Sequence, residues 1–201
     1  MLISAQVMGW VGVILYLYLM FSFRKMAKRN EFAFLHIILA FIYAMWIPLP
    51  LAFNKLLDSE FIQVGNIFGL VYLVMILITM TLQAGHISYI VKQEVNSINE
   101  NFSNYLMATL SAPFESFANI LRCIWALFIG ISFVTSDEIL MASLMFFYSL
   151  LIIYYVMLML NTCLVKGVRV FSKFKPNFVF TNLETFIFFI ILICYMSFTS
   201  W

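Results

Sequence analysis

The two histidines of the sequence, His36 and His86, are the side chains best suited to bind a haem or to exchange protons near neutral pH. Each lies about one helical turn from the same end of neighbouring antiparallel hydrophobic segments, so we expect their rings at similar depth. The pair is compatible with a b-type haem held between the rings, with a polar pair, or with two histidines that bond locally. Local bonding is the simplest arrangement, so we expect no cofactor and keep haem as an alternative.

A second set of polar side chains lies within the hydrophobic segments. Thr79, Gln83 and His86 are four and three residues apart, which places them on one face of a helix. With Asn161 they form the candidate intramembrane polar face. Such a face can line a conduit for a solute, or it can supply hydrogen bonds between helices. The second use is the more common one.

The most polar part of the chain carries a helical pattern of its own. Apolar residues recur every four positions within 95–112, with Asn and Glu residues between them, which predicts an amphipathic helix at the cytoplasmic membrane surface. Three polar residues after it share one helix face. Together these residues are candidates for contact with another copy or a cytosolic partner: Ile98, Phe102, Leu106, Leu110, Glu115, Asn119 and Arg122.

The sequence contains no recognisable catalytic motif. It lacks G-x-S-x-G, H-E-x-x-H and a glycine-rich phosphate loop. Its three cysteines lie in apolar stretches without a C-x-x-C pair, so neither a zinc site nor a redox dithiol is expected. We therefore expect a protein that is not an enzyme and has no metal site.

The composition indicates the elements that must position these residues. Of 201 residues, 65% are hydrophobic and only 10% are charged, which indicates an integral membrane protein. A net charge of +2 offers no strong basic field for a nucleic acid. Six stretches are long and apolar enough to span a bilayer. The expected fold is an all-α polytopic bundle forming one transmembrane domain, with spans at about 2–23, 32–53, 61–91, 117–134, 138–165 and 183–201.

The basic residues predict the orientation of these spans. Ten of the eleven, Arg122 included, are assigned to alternate loops. Because Lys and Arg are enriched on the cytoplasmic side, this places both termini on the outer side of the cell (inner or plasma) membrane. Capping boxes are expected at 135–138 and 181–184, opening the fifth and sixth spans. With the carboxylates and the basic residues assigned to loops and span ends, no intramembrane charge is expected, which argues against an ion-coupled pump.

The resulting functional hypothesis is a non-enzymatic, self-associating inner-membrane subunit. It is embedded in membrane lipids and engages a cytosolic partner. It would act as a channel or scaffold. Phe and Ile are very common, and Phe, Ile, Met, Asn, Tyr and Lys are the amino acids of AT-rich codons, which suggests a low-GC bacterium or a mobile gene. This origin leads to the idea of a defence-system effector. The alternatives are a small-solute transporter or facilitator, and a b-haem electron-transfer protein.

Overall fold

A computed structural model describes residues 1–92, 105 and 108–199, and the regular secondary structure of this part is helical, without strands. Six helical stretches are long and apolar enough to cross a membrane, so the predicted all-α polytopic bundle is confirmed. The helices are α1 (Leu2–Lys28), α2 (Phe32–Trp46), α3 (Pro48–Leu56), α4 (Glu60–Lys92), α5 (Ala112–Thr135), α6 (Ile139–Leu150), α7 (Ile152–Cys163) and α8 (Phe178–Thr199). A 3₁₀ turn, Phe171–Lys173, precedes α8.

Two of the six spans contain a break. The second span consists of α2 and α3, joined at Ile47, which keeps helical dihedral angles. Pro48 lacks the N–H that would continue the helical hydrogen bonds, so the chain restarts there as a new helix. The fifth span consists of α6 and α7. Near their junction the Ser149 hydroxyl donates to the Phe146 carbonyl at 2.7 Å, a local bond of a kind that often bends helices.

Aromatic side chains fill the centre of the bundle, and α8 connects them. The ring of Phe189 stacks on Trp46 of α2, with 4.0 Å between ring centroids, and lies 6.3 Å from Tyr72 of α4. Phe188, its neighbour in α8, meets Trp125 of α5 edge to face at 5.5 Å. These five rings form a packed layer, which we call the aromatic layer, across the middle of the molecule.

Glycines allow close packing of the large rings. A Cβ atom on Gly69 would lie 2.5 Å from the Trp125 ring, and one on Gly12 would lie 2.4 Å from the Trp46 indole nitrogen. Gly69 follows Gly65 at a spacing of four, the G-x-x-x-G pattern of close helix pairs, and both face α5. This pair sets the approach of α4 to α5.

The predicted start of the sixth span is wrong. The helix α8 begins at Phe178, where the Asn177 side-chain oxygen accepts a hydrogen bond from the N–H of Phe180 at 3.1 Å. Asn177 therefore caps the helix. The predicted capping box at 181–184 is not formed, and Glu184 lies inside α8.

The expected capping box of the fifth span is not formed either. Thr135 is the last residue of α5, and Glu138 occupies the N-cap position of α6 without a side-chain capping bond. Asp137 turns the chain between them in the left-handed region, with φ of 59°. The four residues therefore connect two helices, because the apolar pattern of α5 continues up to the first of them.

One end of the bundle carries most of the positive charge, and we call it the basic end; the opposite end is the far end. Helix termini of alternate spans meet there, together with nine of the eleven basic residues: Arg24, Lys25, Lys28, Arg29, Lys92, Lys166, Arg169, Lys173 and Lys175. Lys55 lies at the far end. Arg122 lies ten residues into α5, so its predicted place in a loop is wrong and the charge alternation depends on nine residues.

Candidate functional site

A cavity of about 440 Å³ opens at the basic end, and all six spans contribute to its wall. Its mouth is formed by the exposed rings of Phe23, Phe32 and Phe178, whereas the buried Tyr43 and Tyr155 lie at its floor. Most of the lining surface is apolar, but eleven of the 20 lining residues carry a polar side-chain group: His36 and Tyr43 from α2, Gln83 from α4, Ser111, Glu115, Ser116 and Asn119 from the start of α5, Tyr155 from α7, and Thr181, Asn182 and Thr185 from α8.

Glu115 supplies a carboxylate to this wall, and its neighbours hold it in place. The side-chain amide of Gln83 donates to Glu115 Oε1 at 2.8 Å and to the Leu110 carbonyl at 3.5 Å. One turn later, Asn119 donates to the main-chain carbonyl of Glu115 at 2.9 Å. The carboxylate lies in the first turn of α5, where the helix dipole favours negative charge. The cavity therefore contains a carboxyl group that is held in a fixed position.

His36 adds a hydrogen-bond acceptor to the opposite wall. Its Nδ1 lies 2.7 Å from the Phe32 carbonyl oxygen of its own helix. A carbonyl only accepts hydrogen bonds, so we assign the ring proton to Nδ1. In the neutral ring, Nε2 is then the acceptor that remains for a ligand.

A buried ion pair lies directly beneath the cavity floor. The guanidinium of Arg122, whose side chain is 2% exposed, forms a salt bridge with Glu184 Oε1 of α8. It also donates to the Thr185 hydroxyl at 2.6 Å and to the Tyr155 hydroxyl at 3.4 Å. The Tyr155 hydroxyl in turn donates to Glu184 Oε1. Because Tyr155 and Thr185 also line the cavity, their hydroxyls connect the cavity to the ion pair.

The surroundings of the ion pair are mostly aromatic. The guanidinium carbon of Arg122 lies 5.6 Å from the ring centres of Tyr72 and Phe188, within the range of cation–π attraction. Glu184 Oε2 is buried, and no described residue forms a hydrogen bond with it. Removal of either charge would leave the other one buried and uncompensated, which is strongly unfavourable. The expectation that no charge lies inside the bundle is therefore wrong.

The structure gathers part of the predicted polar sets around the cavity. Gln83, Glu115, Asn119 and His36 all line it. Arg122 shares the helix face of Glu115 and Asn119 as expected, but its buried side chain contacts residues of the same chain instead of a surface.

The remaining members of the predicted intramembrane face lie elsewhere. Thr79 is buried and donates to the Met75 carbonyl of its own helix at 2.8 Å. Asn161 donates to the Phe174 carbonyl at 3.4 Å, next to the 3₁₀ turn. His86 is half-buried in α4 and is not part of the described cavity lining, which contains His36. A haem between the two histidines stays a prediction.

The predicted partner surface is described only at its end. Ile98, Phe102 and Leu106 lie outside the described residues. Leu110 is half-buried, and its carbonyl accepts the bond from Gln83.

Sequence reasoning missed the residues of the cavity floor. Thr181 and Thr185 are one turn apart on α8, a spacing that would have indicated a polar face once the helix was extended to Phe178. Glu184 was assigned to a capping box, and Tyr155 was not singled out. The assignment of Glu184 to a loop end concealed its partnership with Arg122.

Comparisons with protein-family models, curated proteins and solved structures find no match for this chain. Within the described ranges, no three His, Cys, Asp or Glu side chains are grouped so that they could hold a metal ion. The cavity and the ion pair are therefore the features from which a function is inferred.

Proposed function

We propose that the chain is a carrier for small organic solutes, which bind in the cavity at the basic end and leave at the far end. The observation that supports this proposal is the cavity itself. All six spans of one chain contribute to its wall, which combines an apolar surface with eleven side chains that carry polar groups. Its volume of about 440 Å³ is typical of sites for small molecules. The proposal assigns no catalytic step to the protein.

The region beneath the cavity has the properties of a closed gate. The Arg122–Glu184 pair separates the cavity floor from the aromatic layer. Towards the far end, the Trp125 indole donates to Asn66, and Asn66 donates to Asn54, at 2.9 and 2.8 Å. These contacts close the path across the bundle. A carrier with this design alternates between this state and one in which the cavity opens at the far end.

The ion pair offers a physical means by which the binding of a solute is coupled to the opening of the gate. Tyr155 and Thr185 each bond the ion pair on one side and line the cavity on the other. A solute that forms a hydrogen bond with either hydroxyl weakens the bond between that hydroxyl and the ion pair. The ion pair is then destabilised in the closed state, which favours a rearrangement of α5 against α8.

The distribution of basic residues supports an orientation for this carrier. Nine basic residues lie at the end where the cavity opens. Because Lys and Arg are enriched on the cytoplasmic side of membrane proteins, we place the basic end in the cytosol and both termini outside. The cavity then faces the cytosol in the described state.

The other functions depend on residues outside this cavity. The self-associating subunit with a cytosolic partner relies on 95–112, most of which lies outside the described residues. The haem protein relies on His86 joining His36. We therefore keep both as proposals of lower rank, with the carrier first.

The experiment that tests the carrier measures solute uptake into liposomes that contain the purified chain. The solutes are a defined mixture of labelled amines, amino acids, sugars and carboxylates. The variant Thr181→Trp fills the cavity, and Thr81→Trp makes the same change at an exposed position of α4. We expect uptake of at least one solute class by the native chain and by Thr81→Trp, and a loss of at least tenfold in Thr181→Trp.

Two results would contradict the carrier. One is the absence of uptake for every solute class when the protein is folded and inserted. The other is equal uptake by the native chain and Thr181→Trp, since a solute whose uptake is unaffected by filling the cavity crosses the membrane by another path.

A further inference from the structure

We infer that the ligand of the cavity is an organic cation, with an ammonium group bound at Glu115 and an apolar body. This inference rests on the proposed solute site and names the substrate class of that site. It depends on three features of the cavity: its charge, its hydrogen-bonding groups and its apolar residues.

Among the described lining residues, the charge-bearing groups favour a cation over an anion. Glu115 is the one carboxylate among the described lining residues, and no described Lys or Arg joins it there. Arg122 lies beneath the floor and is paired with Glu184. The basic side chains of the same end lie outside the cavity lining. Inside the cavity a cationic ligand therefore meets a carboxyl group, whereas an anion would meet that group without a basic side chain among the described lining residues.

The hydrogen-bonding groups match an ammonium group as well. An ammonium ion donates hydrogen bonds and accepts none. Glu115 offers carboxylate oxygens, and neutral His36 offers Nε2 once its Nδ1 proton is bound to the Phe32 carbonyl. Gln83 directs its amide N–H group at Glu115, so this donor is already used. The fixed acceptors of the wall thus face a ligand that supplies donors.

The apolar residues fit a ligand with a hydrophobic body. Phe23, Phe32 and Phe178 surround the mouth, and Leu39 and Met80 lie deeper. Aromatic rings near a carboxylate form the usual environment of organic ammonium ligands, because the ring faces attract the cation. A bare inorganic cation would leave this apolar surface in contact with water.

The test compares three ligands of similar shape and different charge on the full chain purified in detergent. They are 2-phenylethylammonium, 2-phenylethanol and 3-phenylpropionate, and binding is measured by isothermal titration calorimetry. We expect the ammonium compound to bind at least tenfold more tightly than the alcohol and the carboxylate. Glu115→Gln, which removes the charge but keeps the size, should weaken ammonium binding at least tenfold. Glu60→Gln, at an exposed acid of the far end, should leave it unchanged.

The ligand series decides the inference even if Glu115→Gln fails to fold, since it uses the unaltered chain. Equal or tighter binding of the alcohol or the carboxylate would overturn it, as would binding of none of the three. Ammonium binding that Glu115→Gln leaves intact would also overturn it. Failure here is distinguishable from failure of the carrier, because uptake of another solute class that Thr181→Trp abolishes would preserve the carrier.

Discussion

At the scale of single residues, the pairing of Arg122 with Glu184 is what allows charged side chains to lie in the centre of the bundle. Both side chains are at least nine-tenths buried, and Arg122 also bonds Tyr155 and Thr185. Charges at such depth persist when each is compensated by the other and by hydrogen bonds. The ion pair is therefore a single unit whose parts depend on one another.

Breaking this unit should have a large effect on stability. We expect Arg122→Leu and Glu184→Gln each to lower the free energy of unfolding by about 3–5 kcal/mol, because each leaves one buried charge uncompensated. The double variant should lose less than the sum of the two. The exposed Glu138→Gln is the control and should change stability by less than about 0.5 kcal/mol. The measurement is equilibrium unfolding in detergent, followed by tryptophan fluorescence. Additive effects of the two changes would show that the residues act independently.

The sequence predicts part of this unit. Helical spacing correctly places Glu115, Asn119 and Arg122 on one face of α5. It does not predict that the partner of Arg122 is Glu184, 62 residues away in the chain, because that contact depends on how α5 and α8 pack. The polar residues around Glu184 resemble a helix start, and this local pattern outweighed the apolar residues that extend α8 towards Phe178.

At the scale of helices, the approach of α4 to α5 depends on glycine. Gly69 lies so close to the Trp125 ring that a methyl group there would overlap with it. Gly85 lies in the same helix with no heavy atom near its Cβ position. Both glycines lie in the same helix, but only Gly69 is in close contact with another helix. Comparing alanine substitutions at the two positions therefore separates the effect of the contact from the effect of helix propensity.

The substitution Gly69→Ala should destabilise the protein by about 1–3 kcal/mol, because the added methyl group forces α4 and α5 apart. Gly85→Ala should instead be neutral or stabilising by up to about 1 kcal/mol, since alanine favours the helix. Thermal unfolding of the two variants in the same detergent compares them. A stable Gly69→Ala protein would indicate that Trp125 moves aside at no cost.

The six spans themselves are predictable, because about twenty apolar residues per crossing is a strong signal. The first and last residues of the helices are less predictable. The start of α5 at Ala112 and of α8 at Phe178 both lie before the predicted starts, 117 and 183. The continuation of each helix places polar side chains against the cavity, where they find partners that a sequence pattern does not reveal.

At the scale of the whole molecule, the asymmetry of charge predicts the orientation in the membrane. We expect Gly167→Cys, in the exposed loop of the basic end, to react with a membrane-impermeant maleimide from the cytoplasmic side. Asp58→Cys, at the exposed far end, should react from the outside. Both changes are made in a chain whose three cysteines are replaced by alanine. Labelling with the two sides exchanged would invert the orientation and place the cavity mouth outside.

The central claim is that the cavity at the basic end admits solutes from water. The most direct measurement is the labelling of Thr181→Cys by an impermeant maleimide in the same cysteine-free chain. We expect this cysteine to react from the side on which Gly167→Cys reacts and from that side only, whereas Thr81→Cys, at an exposed position within a span, stays unlabelled. A Thr181→Cys protein that resists the reagent while Gly167→Cys reacts would contradict the account, because the cavity would then be closed to water.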